Sequence, residues 1–364
     1  MPKDWYLRDW QDDHQQGLSV EKTYATLLKD KPSRTVLVAV IDSGVDTDHE
    51  DLKDVIWSNE DEVADNGIDD DNNGYIDDVH GWSFIGGKNG SVVEDTYELT
   101  REYVRLKGIY GRPGERKARK KNAVEFEYWR KIKQEFEKSS TLYNNLYATF
   151  QKRYVDAGLA NDTVKKILKV EKLKAEHLSQ LNVKGAFLKT ATETLAAAFK
   201  TFGDVDRALA EWKAIVNFFE YKSKYGYNVG FDPRTIVGDN YSDVYEKNYG
   251  SNDVKGPDPD HGTHVAGIIG ANRNNNIGIK GIANNIRIMV LRAVPHGDER
   301  DKDVANAIIY AVDNGAKVIN MSFGKYYSPQ KDAVDKSVKY AESKDVLIIH
   351  AAGNDRTDND IHGS

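Results

Sequence analysis

Two strand-length runs of branched apolar residues, 35–41 and Ile286–Val294, constrain the fold of this chain more than any other feature. Neither alternates with polar residues, so a strand built from either must be covered on both faces, as in a parallel sheet. Asp303–Val312 then has the length and pattern of a helix, and Gly315-Ala316 leads into a third strand, Lys317–Met321. A second helix, Gln330–Ser343, precedes a fourth strand, Val346–His350. Strands alternating with helices of this length predict right-handed crossovers and an α/β fold with a doubly wound parallel sheet. In such sheets functional side chains collect beyond the carboxyl ends of the strands, where Asp42, Ser322 and Asn354 all fall.

A chain of 364 residues has room for one large domain or two ordinary ones. With 30% charged residues and a net charge of −7, it carries no global basic field for nucleic acid. No run approaches the roughly 18 apolar residues of a membrane-spanning helix. No apolar signal region follows Met1-Pro2-Lys3-Asp4. The lack of cysteine rules out disulfides, thiolate zinc sites and cysteine nucleophiles together, and leaves the redox compartment open.

Residues 88–250 differ in character from 1–87 and 251–364 on either side. They are rich in Lys, Glu, Tyr and Ala. Val124, Tyr128, Ile132 and Phe136 form one helical stripe; Val205, Leu209, Trp212, Val216 and Phe219 form another. Breaks near Gly111-Arg112-Pro113-Gly114, Gly158, Gly185 and Gly203 predict four or five helices, an all-helical subdomain inserted into the α/β domain. The basic stretch Arg116–Lys121 reads as a solvated helix start in preference to a docking patch.

Three blocks carry chemistry. A serine hydroxyl is a poor nucleophile unless an adjacent base takes its proton, and that base needs a fixed tautomer and orientation. Asp260-His261-Gly262-Thr263-His264-Val265-Ala266-Gly267 places His261 at the first turn of a small-residue helix, suited to a general base. The first strand ends on Asp42, followed by the small Ser43-Gly44 turn, suited to an orienting carboxylate. The last ends in Ala351-Ala352-Gly353-Asn354, whose amide suits a developing oxyanion.

These blocks resemble the subtilisin-like serine peptidases (subtilases), with the match covering roughly 1–60 and 255–364. The resemblance implies that Asp42 is the orienting aspartate, His261 the catalytic histidine and Asn354 the oxyanion donor. It also implies that Ser322, Phe323 and Gly324 offer main-chain groups to an extended substrate by strand addition, and that Ala351, Ala352 and Gly353 form a wall of the specificity pocket. Trp5-Tyr6-Leu7 and Gly17–Leu28 resemble the start of a mature subtilase, so a propeptide is expected to be absent. The order Asp, His, Ser of subtilisin agrees as far as it goes. The long separation of Asp42 and His261 is explained by the insertion, because long surface loops cost little closure entropy.

The nucleophile is the departure. Subtilases carry it in Gly-Thr-Ser-x-Ala/Met, and no Gly-Thr-Ser occurs here. Ser322, Ser328, Ser337 and Ser343 stand in the wrong context, and Ser364 is terminal. The expectation is therefore a subtilisin-like endopeptidase in an incomplete chain, with its serine outside it. Its partners would be a polypeptide substrate, a C-terminal fragment carrying that serine, and a protein docked on the insertion. The competing reading is an inactive subtilase-fold scaffold that uses the insertion to bind partners.

Asp69-Asp70-Asp71-Asn72-Asn73-Gly74-Tyr75-Ile76-Asp77-Asp78 places oxygen ligands at alternate positions with glycine at the sixth, the pattern of a calcium loop. Asp69, Asp71 and Asn73 would offer side-chain oxygens, Tyr75 its carbonyl, and Asp77 a direct or water-mediated contact. His80 stands where a full EF-hand has its bidentate glutamate, so Asp78 is the expected replacement. The ion would be structural. The resemblance and this loop together favour a secreted or cell-envelope address. A metal site of His261 and His264 lacks a third ligand at matching spacing, and His264 is expected to pack behind the site. His14, His49, His296, His350 and His362 receive no role. Nucleotide binding is rejected because neither G-x-G-x-x-G after Asp42 nor G-x-x-x-x-G-K-[ST] is present.

Overall fold

The computed structural model describes residues 2–111, 120, 122–356 and 358. Most of Arg116–Lys121, together with His362 and Ser364, lies outside the described residues. The chain divides into two compact units, one of Met1–Glu98 with Asp232–Ser364 and one of Leu99–Phe231.

Among the described residues the first unit holds seven strands: β1 (Val36–Asp42), β2 (Gly81–Ser83), β3 (Gly86–Gly87), β4 (Gly90–Ser91), β5 (Ile286–Arg292), β6 (Val318–Met321) and β7 (Leu347–His350). Five form a parallel sheet in the order β2-β5-β1-β6-β7, while β3 and β4 make a small antiparallel hairpin. The continuous apolar runs are explained by cover on both faces of β1. Ala39 and Ile41 join a core with Met289, Leu291, Ile308 and Ala311 on one side. Val38 and Val40 join Ile288, Val290 and Ala266 of the helix Asp260–Gly270 on the other. The helix Asp301–Asp313 is buried almost all round, including Lys302 at 0% exposure, whose ammonium pairs with Asp239 and Glu246 at 2.6 Å each.

The unit boundaries fall inside 88 and 250. Residues 88–98 and 232–250 look polar in sequence but belong to the α/β unit, because specific pairings fix them there. The Asp95 N–H donates to the His296 carbonyl at 2.7 Å, and Arg234 forks onto Asp239 and Asp303 at 2.6 Å each.

In the second unit three helices, Ala123–Leu168, Ala186–Phe202 and Val205–Tyr221, close around Ala160, Val164, Leu195, Ala198, Ala208 and Trp212. The turn between the last two follows from sequence. Gly203 takes the left-handed conformation that ends one helix, and the Asp204 carboxylate accepts from the Asp206 and Arg207 N–H groups to start the next. Gly158 does not break a helix. It lies within the 46-residue helix Ala123–Leu168, where one glycine costs only about 1 kcal/mol against the flanking buried Ala157, Ala160 and Val164. The first stripe holds at Ile132 and Phe136, which are buried, but not at its start: Val124 is 83% exposed, and Phe126 and Trp129 are buried there instead, because the larger aromatic rings win the interior face.

Candidate active site

β1 sits where the strand order switches: β5 and β2 lie to one side, β6 and β7 to the other. Its carboxyl end therefore opens on the crevice in which α/β sheets place their functional groups. Asp42 closes β1, and His261 is the second residue of the helix Asp260–Gly270. Although 219 residues apart in sequence, they meet: His261 Nδ1 lies 2.7 Å from Asp42 Oδ1. An ionised carboxylate only accepts, so Nδ1 carries the proton and donates it. The Ser43 N–H donates to the same oxygen at 2.8 Å. Asp42 is 1% exposed, whereas the His261 side chain is 62% exposed. A buried, fixed carboxylate thus holds an accessible imidazole in one tautomer. Among the described residues His261 Nε2 takes no hydrogen bond.

Two glycines allow this approach. A Cβ at Gly262 would sit 2.1 Å from the Gly44 carbonyl oxygen and 3.2 Å from Asp42 Cβ. A Cβ at Gly44, whose φ is +122°, would sit 2.2 Å from the Lys255 carbonyl oxygen. Any side chain at either position would push the helix away from the aspartate turn. Asp42 Oδ2 is buried without a hydrogen-bond partner. Such orphan acceptors are costly and are tolerated mainly where function requires a dry, polar site.

A cleft of about 510 Å³ opens over the pair, with Asp258, His264, His296 and Ser322 in its wall. His264 is exposed and faces this cleft, contrary to the expectation that it packs behind the site. His296, given no role from sequence, also lines it. Its Nε2 lies 2.9 Å from Asp258 Oδ2. The clue available in sequence was its place just beyond the carboxyl end of β5. Ser322 is half-buried and accepts from Asn320 Nδ2 at 2.9 Å. Phe323 meets His350 edge-on at 6.2 Å, and Gly324 is exposed. The Ala351 N–H continues the β6 pairing by donating to the Met321 carbonyl at 3.0 Å. Ala351, Ala352, Gly353 and Asn354 are exposed, and Asn354 is not among the residues that line the cleft.

In the acidic loop the structure gathers Asp69 and Asp71 with Glu62, each offering a carboxylate oxygen within 4.8 Å of the others. Glu62 was not legible from the loop motif, since it precedes the repeat by seven residues. Its Oε1 accepts from the Asp70 and Asp71 N–H groups, while Oε2 is buried without a partner. Burial pushes the Glu62 carboxyl up from its ordinary pKa. Asn73 turns its amide toward Asp71 and Asp78, at 3.0 Å each, and its carbonyl oxygen accepts from the Tyr75 N–H. The Tyr75 ring packs edge-on against Trp82 and Tyr310. Asp77 and Asp78 point elsewhere. Asp77 accepts from the Asn66 and Gly67 N–H groups. Asp78, fully buried, accepts from Asn59, Asn73 and the Tyr310 hydroxyl; burial raises its pKa and these donors oppose the rise. An orphaned buried carboxylate oxygen beside two further carboxylates is a donor set that fits a hard divalent cation.

The profile described as "Subtilase family" matches residues 33–363. A thermophilic serine proteinase of Bacillus sp. (strain AK1) is 46% identical over 95 residues, which cover 26% of this chain and 23% of that protein. Thermitase of Thermoactinomyces vulgaris is 41% identical over 95 residues, 26% of this chain and 33% of thermitase. Halolysin of Haloferax mediterranei is 38% identical over 136 residues, 37% of this chain and 24% of halolysin. The chain thus spans a third or less of the length of these curated relatives. With the strand order, the Asp42–His261 contact and a family match across most of its length, the chain belongs to the subtilase family.

Proposed function

We propose that the protein is a serine endopeptidase that hydrolyses peptide bonds through Asp42, His261 and a serine supplied from outside the described residues. The observation that carries this reading is the 2.7 Å contact between the buried Asp42 and the exposed His261. His261 Nε2 takes the serine proton as the oxygen attacks the peptide carbonyl, then returns it to the leaving amine. Asp42 stabilises the imidazolium formed between these steps. The Asn354 amide moves onto the oxyanion, an exposed position on a short segment beyond β7 being compatible with tightening when substrate binds. An extended substrate lies along Ser322, Phe323 and Gly324, with Ala351, Ala352 and Gly353 beside its side-chain pocket. In support, the thermophilic serine proteinase of Bacillus sp. (strain AK1) is, by name, an enzyme of this kind.

Calcium would be held at the acidic loop by Glu62, Asp69 and Asp71, with Asn73 and the Tyr75 carbonyl as further oxygen donors. Asp77 and Asp78 brace the loop. Bound there, the ion would neutralise carboxylates that otherwise repel one another. No helix among the described residues is long and apolar enough to cross a membrane. A calcium-dependent peptidase fits a secreted or cell-envelope setting.

The test is labelling of the full-length protein with a fluorophosphonate. The expected result is one covalent adduct on a serine, absent in the His261→Ala variant. A folded wild-type protein that takes no label, or an equally labelled variant, overturns the reading.

A further inference from the structure

Arg292 is the last residue of β5, the register partner of Asp42 across the sheet, and 2% exposed. Among the described residues no carboxylate lies within ion-pair distance of it. Its guanidinium is held by neutral oxygens from three separate segments. Nε donates to the Ser43 carbonyl at 2.8 Å, Nη1 reaches Ser83 Oγ at 3.5 Å, and Nη2 donates to the Val92 carbonyl. The loop leading to the histidine helix lies against the same group, since a Cβ at Gly256 would sit 2.2 Å from Arg292 Nε. Asp253 fixes that loop by accepting from the Gly256 N–H at 2.8 Å. Desolvation pulls the Arg292 pKa down to about 10, with Asp253 the charge that opposes it.

A buried cation without a counter-ion is costly, and an apolar side chain would fill a strand end at less expense. What the guanidinium provides is a planar fork of donors reaching several acceptors in one fixed geometry, which lysine does not match. Two of the segments it touches bear the proposed catalytic groups. The Ser43 carbonyl belongs to the turn that carries Asp42, and Gly256 stands five residues before His261. We propose that Arg292 is a positioning residue, a buried clamp that fixes the Asp42 turn and the approach to His261 so that carboxylate and imidazole meet. The proposal rests on the peptidase reading for its kinetic consequence but not for its structural one.

The experiment therefore reads both, in the full-length protein, for Arg292→Gln and Arg292→Lys. Arg300→Gln serves as control, because Arg300 is 3% exposed in the same unit but pairs with Asp95 at 2.7 Å. The structural readout is the downfield proton resonance of His261 Nδ1–H hydrogen-bonded to Asp42, assigned by its loss in His261→Ala. In Arg292→Gln this resonance is expected to vanish or broaden, with kcat down about tenfold to a hundredfold and KM within about twofold, as misplacement of a catalytic group implies. Arg292→Lys, which keeps the charge and tests the clamp should the glutamine variant fail to fold, is expected to fall between. Arg300→Gln is expected to lower Tm yet keep the resonance. A resonance and kcat unchanged in either Arg292 variant would overturn the proposal, as would equal loss in Arg300→Gln. If the wild type shows the resonance but no hydrolysis, the peptidase reading fails while the clamp is still tested by the spectrum.

Discussion

The α/β unit buries ions, and the helical unit buries apolar and aromatic side chains. In the first, Asp42, Asp78, Asp95, Arg292, Arg300, Lys302 and Asp303 are all at most 3% exposed, tied together by bonds that span long stretches of sequence. In the second, the buried polar side chains among the described residues are Thr100, Glu102 and Asn161, and the core is alanine, valine, leucine and tryptophan at helical spacing. Its ion pairs are mostly local and exposed, such as Lys152–Asp156 and Lys224–Glu220 one helical turn apart, of a kind worth a few tenths of a kcal/mol each. Groups that must act on a substrate need a dry, preorganised polar setting, and such settings are costly to build. Among the described residues the helical unit carries no comparable cluster, so its stability rests mainly on packing.

That contrast breaks if catalysis and packing prove not to be separable. The largest expected effect is at the dyad. Asp42→Asn keeps the volume but favours the wrong His261 tautomer, and should lower kcat by about 10⁴, as the same change does in a serine-peptidase triad. Tm should move little; a loss of kcat that merely follows unfolding would remove the distinction. Next comes the helical core. Leu195, fully buried, should cost about 2–5 kcal/mol of local stability on change to alanine. Hydrogen exchange should quicken within 123–221 and leave β1 and β5 protected. Equal acceleration in the sheet would show the two units to be one cooperative block.

The smallest effect sharpens the ionic side. Burial raises the pKa of both Glu62 and Asp78, so the folded protein holds their protons more tightly than the unfolded chain. Their contribution is fully present below the unfolded pKa and is lost as pH rises through the raised folded values. A cation that replaces the Glu62 proton should therefore raise Tm more near pH 8 than near pH 4, roughly the two sides of the carboxylate range. Tm measured with calcium and with a chelator at both values checks this, and Glu62→Gln should flatten the metal-free slope. An identical calcium gain at both ends of the range counts against the loop as a cation site.

The two core strands, the helices Asp260–Gly270, Asp301–Asp313 and Lys331–Ser343, and the Asp42–His261 pairing were all readable in sequence. Continuous apolar runs, small-residue turns and a histidine at a helix start each have one economical structural solution. Other features were not readable. Val124 and Phe126 stand on opposite sides of one helix, and only packing selects the side with the ring. Gly158 looks like a break until neighbouring helices cover it. Asp77 and Asp78 fit a ligand spacing, yet the folded loop spends them on Asn66, Gly67 and Tyr310. Glu62, Arg292 and His296 carry no local motif at all.

Sequence alone determined what can be read from residues a few positions apart: the strand-length apolar runs, the long helices, the small turn after Asp42, and the order of the blocks. Tertiary structure alone decided which charges are buried and whom they meet. The reason is physical. Local propensity is set by steric and hydrogen-bond terms within a turn or two, whereas the cost of burying Arg292 or Glu62 depends on acceptors and carboxylates brought close only by the folded chain.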